Sequence, residues 1–496
     1  MSLGIKRLSA PAGAVLTLLG LAFVTPQGAH AAPLAAELGP QVTLAVPQNG
    51  YVGHLSVAPA HAPVGTPVTV SGQGFPPDQE LDLAWRTVNG SWKAGDGVYL
   101  GRDFAPVAYR IATVKSDKDG RVSARFVTPE DFGFEHDIVL QQGNRLFTQT
   151  AFDLDMTVKL KSDQGPVGGP IEIEANGIGW AELQASWMLL YDNAYTGWMS
   201  SITTHGTAHF TIPATGRPGL HILEVLNSDF GSIYRNMQQS PQPDRPRFKI
   251  PYTVTADAPV QPPPPEQQRQ TKVWSVPAPG ELVSTPAFST IDQPVVTVGT
   301  GFEPGKTYTL NWTSLTGNRI IGHWEEAVRP IAQAAADARG QVTFHYQVPD
   351  DLGGNHTLWV DLGNDKRKVG NYWVAASALP LDVTSGPVGT QFTIHLKGTG
   401  WTETANIYTV VYDNGHTGYA CGFNSHGDIQ IFMQATGEPG WHFIDLYPAI
   451  YKGKETHPVS YRLPQLTYAA DHPAEDLPAF HFAFKVTEGA APAASQ

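Results

Sequence analysis

The chain of 496 residues carries 32 Lys and Arg against 45 Asp and Glu, a formal net charge of −13 with histidine neutral. Nucleic acids and anionic membrane surfaces are bound chiefly through clustered Lys and Arg, so this acid excess without a basic cluster argues against both partners. With 50 glycines, 41 prolines and only 16% charged residues, the composition favours many short strands joined by turns over helices. Cys421 is the only cysteine, which excludes an intramolecular disulfide.

The N-terminal residues predict an export signal. Lys6 and Arg7 precede an apolar run from about Ala14 to Val24, and cleavage after Ala31 in "AHAAP" would leave an A-x-A site. This apolar run is too short to span a bilayer, and no second one of spanning length follows it. We therefore expect a mature chain that is not membrane-spanning and is secreted, periplasmic or at the cell surface.

Most of the chain alternates apolar and polar residues with the period of a strand. Stretches such as "TPVTVSGQGF", "PIEIEANGIGW" and "QVTFHYQVP" follow this pattern, and turn signals recur at spacings of roughly eight to twelve residues. The single helix-like stretch is "EEAVRPIAQAAADA", and Pro330 interrupts it. The sequence predicts an all-β protein made of β-sandwiches.

The chain also repeats itself. The pattern "A-T-G-x-P-G-x-H" ends at His221 and again at His442, 221 residues later. The flanking sequences align at the same offset without a gap. A second pair of segments matches around Trp85 and Trp312. The repeats predict a duplicated two-domain block, in which A and B sandwich units follow one another in series.

A stretch rich in proline and glutamine, "APVQPPPPEQQRQTK", lies between the two blocks and is expected to be an extended, semi-rigid spacer. The predicted segments are a signal peptide (1–31), an N-terminal extension (32–56), unit A1 (57–154), unit B1 (155–257), the linker (258–275), unit A2 (276–377), unit B2 (378–489) and a C-terminal tail (490–496).

Two of these units open with a recognisable pattern. "APVGTPVTVSGQGF" and "GPVGTQFTIHLKGTGW" resemble the opening strands of bacterial immunoglobulin-like domains, in particular those of the IPT/TIG type found in exported multi-domain proteins. The resemblance covers most of the mature chain and implies tandem β-sandwiches. It implies no activity and no catalytic residue.

The B units share a "YDNxxTG" loop, an H-G dipeptide and the later histidine, which together could bind a ligand. Asp and Asn could hydrogen-bond a sugar on which a nearby aromatic ring stacks, and Asp with His could hold a metal ion. The candidate ligand-binding residues are Tyr191, Asp192, Asn193, Trp198, Tyr412, Asp413, Asn414 and Tyr419. The candidate metal ligands are His205, His221, His426 and His442.

Each of these residues also has a structural interpretation. Asp-Asn followed by Thr-Gly is common hairpin chemistry, and a histidine after Pro-Gly begins a strand. The rings of Trp180 and Trp401, which match in position, are expected in the core. The adjacent acids Glu130-Asp131 and Asp350-Asp351 point to opposite sides of an extended chain, and we expect them to cap turns.

Familiar catalytic signatures are missing. The sequence has no G-x-S-x-G, H-E-x-x-H, C-x-x-C or phosphate loop, and no cofactor is expected. These observations favour an exported, non-catalytic scaffold or binding protein that recognises a glycan, a surface polymer or another protein. Two alternatives remain open. One is a secreted hydrolase or metal-dependent enzyme that uses Asp192, His205 and His221 or the matched trio of the second B unit, and the other is a structural subunit of a surface layer or filament.

Overall fold

The computed structural model describes residues 37–47, 50–95, 98–228, 233–239, 245–273, 280–318, 323–423, 426–450 and 462–489. The expected signal peptide and C-terminal tail lie outside these residues. The described part of the chain is built of β-strands, with two 3-10 turns at Met237–Gln239 and Pro265–Gln267. It contains no helix with the length and apolarity needed to cross a membrane.

The first pair of sheets covers the predicted unit A1 and also includes Gln41–Val42, Val46–Pro47 and the start of His54–Ala58, which the sequence assigned to an N-terminal extension. A three-stranded sheet, β3-β5-β8, faces a seven-stranded sheet in the order β1-β7-β6-β9-β10-β2, in which β4 also pairs with β10. The strands are β1 (Gln41–Val42), β2 (Val46–Pro47), β3 (His54–Ala58), β4 (His61–Pro63), β5 (Pro67–Gln73), β6 (Glu80–Gly95), β7 (Val98–Lys115), β8 (Arg121–Val127), β9 (Phe134–Gln142) and β10 (Arg145–Asp155).

The second pair corresponds to unit B1. Its sheets have the orders β11-β13-β16 and β12-β18-β17-β14-β15. The strands are β11 (Thr157–Leu160), β12 (Gln164–Pro166), β13 (Pro170–Asn176), β14 (Trp187–Tyr191), β15 (Ala194–Met199), β16 (Ala208–Pro213), β17 (Gly219–Asn227) and β18 (Arg247–Thr255).

The third pair corresponds to unit A2, with the orders β19-β21-β24 and β20-β26-β25-β22-β23. The strands are β19 (Leu282–Thr285), β20 (Phe288–Ser289), β21 (Pro294–Gly299), β22 (Thr307–Asn318), β23 (His323–Ala335), β24 (Val342–Gln347), β25 (Gly354–Gly363) and β26 (Lys366–Val374).

The fourth pair corresponds to unit B2 and repeats the order of B1, with β27-β29-β32 and β28-β34-β33-β30-β31. The strands are β27 (Ser377–Ala378), β28 (Ser385–Pro387), β29 (Gln391–Lys397), β30 (Ile407–Tyr412), β31 (Gly415–Cys421), β32 (Ile429–Gln434), β33 (Gly440–Ala449) and β34 (Phe480–Thr487).

These pairs of sheets are immunoglobulin-like sandwiches. Three strands oppose five in B1, A2 and B2, and a short early strand crosses over to pair in parallel with the last strand, as β12 does with β18 and β28 with β34. Alternate side chains of the two sheets meet in a shared core, with Trp85, Trp187 and Trp312 fully buried. The predicted all-β sandwich class is confirmed.

The helix-like stretch is a strand. β23 pairs along its length with β22, and the register shifts so that Ile331 bulges between Pro330 and Ala332. β23 is the edge strand of its sheet, where a proline deprives no neighbour of a hydrogen-bond donor. Cross-strand pairing therefore overrides the helical propensity of its alanines.

B1 and B2 share a core, which a simple series of units does not predict. The buried cluster of B1 includes Val411, Tyr447 and Leu466 of B2. The edge strands β15 and β31 lie together, and the Thr196 hydroxyl donates a 2.7 Å hydrogen bond to the Asn414 carbonyl. The two copies of the B unit are therefore packed against each other.

The linker is docked rather than acting as a spacer. The side chains of Gln268 and Gln270 are buried. The Gln268 amide donates to the carbonyl of His481 at 2.8 Å, and the Gln270 amide donates to the carbonyl of Asp476 at 3.1 Å. The Gln270 backbone N–H donates to the Ala376 carbonyl, which holds the same segment against the boundary between A2 and B2. These two side-chain amides hold the linker in place because they donate hydrogen bonds to backbone carbonyls of B2.

Candidate ligand-binding site

The repeated Y-D-N loop is a tight hairpin turn. Asp192 and Asn193 have φ of 47° and 69°, which is the left-handed pair of a two-residue hairpin. The Tyr191 hydroxyl donates a 2.8 Å hydrogen bond to the Thr215 carbonyl, and burial raises the pKa of this phenol, which keeps it protonated as a donor. Tyr412 makes the same bond to Thr436 at 2.9 Å.

The aspartate of each loop is paired with the later histidine. Asp192 Oδ2 lies 2.6 Å from His221 Nδ1, and Asp192 Oδ1 accepts the Ile222 amide at 2.9 Å. Asp413 and His442 repeat this pair at 2.5 Å. Both carboxylate oxygens are thus engaged in holding the hairpin against β17 or β33, and the geometry matches the structural interpretation of these residues.

Three of the other candidates are also occupied by internal contacts. Trp198 is 4% exposed, so its ring presents no stacking face to solvent. Asn414 is fully buried, and its amide donates to the carbonyl of Pro213 at 2.8 Å. Tyr419 is 40% exposed, and its hydroxyl accepts a hydrogen bond from Arg462 at 3.0 Å. The prediction that the Trp198 ring stacks on a sugar is therefore wrong, because this ring is buried.

The H-G dipeptides lie against the neighbouring A unit, whereas the later histidines pair with aspartates of their own B unit. His205 and Gly206 both have positive φ, and a Cβ at Gly206 would lie 2.4 Å from the Asp131 carbonyl oxygen. His426 and Gly427 repeat this approach against Asp351. The dipeptide lets the B unit come close to the A unit, which only a glycine permits.

The proposed metal set is not assembled. His221 is paired with Asp192, whereas the Nδ1 of His205 lies 3.7 Å from Asp131 of the A1 unit. Among the described residues, no group of three or more His, Cys, Asp or Glu side chains could hold a metal ion. The prediction that Asp192, His205 and His221 converge is therefore wrong. Asp192 pairs with His221, and His205 lies beside Asp131.

The second acid of each adjacent pair is buried beside a tryptophan. Trp85 Nε1 donates to Asp131 at 2.7 Å, and Trp312 Nε1 donates to Asp351 at 2.9 Å. A histidine stacks on each indole, at 4.2 Å between the ring centroids of Trp85 and His136. Both aspartates also accept the next backbone amide, as expected for a turn cap. The A units therefore present a rigidly held carboxylate at the junction with the B unit.

A cleft opens at this junction in the second block. Its volume is about 340 Å³, within the usual range of ligand pockets. Both units contribute to its walls. The lining residues are Ser314, Thr316, Ala327, Val328, Arg329, Asp350, Asp351, His426 and Asp428. The cleft combines donors, acceptors and a small apolar surface, which are the features of a site for a polar ligand.

Two cations organise the carboxylates of the cleft. Arg329 Nη2 donates to Asp351 Oδ2 at 2.8 Å, and Lys397 Nζ donates to Asp350 at 2.7 Å and to Asp428 at 2.9 Å. Partial burial opposes the charge of Lys397, but the hydrogen bonds and charges of its two aspartates outweigh burial and raise its pKa. The ion pairs therefore hold the cleft in one arrangement.

The corresponding junction of the first block has different chemistry. Asn176 and Thr207 stand at the positions of Lys397 and Asp428, and they share a neutral hydrogen bond of 3.1 Å. Phe132, fully buried against Phe104 and His205, stands at the position of Leu352. The charged cleft is thus a feature of the second block, although the two blocks are copies.

Sequence reasoning missed Arg329, Lys397 and Asp428. Only a comparison of the two copies carried a signal, because charged residues replace neutral ones at Lys397 and Asp428.

Two aromatic pairs lie behind the junctions. Phe104 lies 5.6 Å from Trp180 and Trp324 lies 5.9 Å from Trp401, between ring centroids, so Trp180 and Trp401 pack between units.

Comparison with solved structures finds matches of low identity and low TM-score. Salmonella alpha-2-macroglobulin has 10% identity and a TM-score of 0.17, over 85% of this chain and 30% of that one, so this chain spans about 30% of that relative. An ectodomain fragment of ICAM-5 has 11% identity and a TM-score of 0.17, over 84% and 99%. The Bacteroides ovatus glycan-utilisation protein SGBP-B, solved with a mixed-linkage heptasaccharide, has 10% identity and a TM-score of 0.15, over 66% of each chain. No family model and no curated protein matches the sequence.

Proposed function

We propose that the chain is an exported, non-catalytic binding protein of the cell envelope or extracellular space, built of four immunoglobulin-like domains. Its ligand, a glycan, surface polymer or protein, binds in the cleft between A2 and B2. The observation that carries this proposal is the cleft itself, where the buried carboxylate of Asp351 and the half-exposed guanidinium of Arg329 meet residues of a second domain. Sites between domains commonly bind ligands because two surfaces can surround one molecule.

The arrangement favours binding over catalysis. Asp351 accepts hydrogen bonds from Trp312, Ser314 and Arg329, so protein donors already engage its carboxylate oxygens. The Asp-His pairs of the B units lie in hairpins that are held by internal hydrogen bonds. These contacts support a site that is rigid before a ligand arrives, which reduces the entropy lost on binding.

The test uses the full mature chain and one blocking substitution. Val328 lines the cleft and is 47% exposed, so Val328→Trp should fill the cleft without disturbing the core. Val283→Trp is the matched control, because Val283 lies on the three-stranded sheet of the same unit and is 49% exposed. Each protein is immobilised and exposed to separated envelope polysaccharide and protein fractions.

We expect the wild-type chain and Val283→Trp to retain material from one fraction, and Val328→Trp to retain little. Equal retention by Val328→Trp would overturn the cleft as the site. Retention by none of the proteins, or release of reaction products from the fraction, would overturn the proposed binding function.

A further inference from the structure

We infer that the cleft between A2 and B2 takes a neutral carbohydrate, held through hydroxyl groups that bridge the Asp350 carboxylate and the Arg329 guanidinium. The inference rests on the proposed function, because it names the ligand class of the same site. It follows from the charge balance of the cleft, from the donors that its side chains leave available and from the volume enclosed.

The charge balance disfavours an ionic ligand. Asp350, Asp351 and Asp428 face Arg329 and Lys397, His426 lines the same cleft, and His395 lies 3.9 Å from Asp428, so charges of both signs are nearly balanced among these residues. An anionic ligand would meet three carboxylates. A cationic ligand would add a third positive charge beside Arg329 and Lys397, which already pair with these carboxylates. A neutral ligand avoids both costs.

Hydrogen-bonding capacity favours hydroxyl groups. Carboxylates only accept hydrogen bonds and a guanidinium only donates them, whereas a hydroxyl does both. Within the described part of the chain, both hydrogen bonds of Arg329 use Nη2, at 2.8 Å to Asp351 and 3.3 Å to the Asp350 carbonyl. Its Nε–H and Nη1–H remain for a ligand. A sugar hydroxyl beside this pair can accept from Arg329 and donate to Asp350, whose side chain is 54% exposed.

The anchor of Arg329 is fixed before the ligand binds. The Asp351 side chain is 3% exposed and accepts from Trp312 Nε1 at 2.9 Å, from Ser314 Oγ at 2.6 Å and from the Leu352 amide at 2.8 Å. Its position fixes that of Arg329. Hydroxyl groups at fixed separations on a rigid sugar ring match a site of this kind, because neither partner has to be ordered on binding.

The remaining walls suit the C–H faces of a sugar. Ala327 and Val328 provide a small apolar surface next to the polar groups, and Val328 is 47% exposed. The cleft, at about 340 Å³, has room for a short saccharide.

The experiment titrates the full mature chain, by calorimetry, with neutral oligosaccharides of glucose, mannose and galactose, with oligogalacturonate and with calcium chloride. We expect at least one neutral oligosaccharide to bind. Arg329→Lys keeps the positive charge but loses the fork of donors, so it should weaken that binding by about tenfold or more. Val328→Trp should abolish binding, whereas Val283→Trp should bind like the wild type.

Binding of only oligogalacturonate or calcium, the failure of every neutral oligosaccharide, or full affinity in Arg329→Lys would overturn the inference. Its failure is distinguishable from that of the proposed function. If Val328→Trp still loses its envelope fraction while no neutral sugar binds, the cleft remains the site and the carbohydrate assignment is wrong.

Discussion

The indole Nε1 of Trp92 donates a 2.7 Å hydrogen bond to the Oδ1 of Asp471, 379 residues later in the chain. Trp92 lies near the end of β6, the long hairpin strand of A1, and Asp471 belongs to B2. The same carboxylate accepts the backbone amides of Ile202 and Thr203 of B1 at 2.8 and 2.9 Å. One buried side chain therefore joins segments of A1, B1 and B2.

Asp471→Ala should lower the free energy of unfolding by about 3 kcal/mol or more, because it leaves several buried donors without an acceptor. Asp119→Ala, at an exposed hairpin position, is the control and should change stability by less than about 0.5 kcal/mol. Denaturant unfolding monitored by tryptophan fluorescence measures both variants. Equal stability of the two would contradict the assigned role of Asp471.

The docked linker predicts a protected trypsin site. Arg269 is exposed, but it lies between the buried side chains of Gln268 and Gln270, which tie the backbone to B2. A protease needs a locally unfolded segment, so cleavage after Arg269 should be slow in the wild type and much faster in a Gln268→Ala, Gln270→Ala double variant. Mass spectrometry of timed digests identifies the cut.

The two halves of a chain cut after Arg269 should also elute together in size-exclusion chromatography, because B1 and B2 share a core. Rapid wild-type cleavage at this bond followed by separation of the halves would instead support the spacer expected from composition.

The aspartates of the Y-D-N loops should matter for stability rather than for ligand binding. Asp413→Ala and Asp192→Ala each remove a backbone cap and a histidine partner, and each should cost about 1–2 kcal/mol of unfolding free energy. The larger loss is expected for Asp413, whose side chain is 25% exposed against 46% for Asp192. Thermal melts and envelope-fraction capture are measured in parallel. Loss of capture by a fully folded variant would restore the loops as candidate sites.

The cleft predicts a stability difference at alkaline pH. The pKa of Lys397 is raised above its ordinary value of 10.5, so the folded state favours the charged form. The stability that this provides is complete below pH 10.5 and is lost as the pH rises through the raised pKa. Wild type should therefore be more stable than Lys397→Met at pH 8, and this advantage should shrink above pH 10.5. An advantage that is independent of pH would contradict the ion-pair role.

The sequence by itself determined the class of fold, because alternation with period two requires one buried face in each strand and glycine and proline mark the turns. It also determined that the B units are copies, and that "YDNxxTG" is compatible with a hairpin. In "EEAVRPIAQAAADA", local propensity indicated a helix, whereas pairing with β22 made a strand. Helix propensity depends only on the residues of the segment itself, whereas the strand conformation depends on pairing with a separate segment, β22.

Only the tertiary structure decided the site. Asp351, Arg329 and His426 are far apart in the chain, and nothing in their spacing shows that the H-G dipeptide brings B2 against A2. The linker's composition is that of a spacer, but two buried glutamine side chains dock it. His205 and His221, close in sequence, pair with aspartates of different units. Contacts between units depend on the shapes of two folded surfaces, and neither periodicity nor motif spacing records that complementarity.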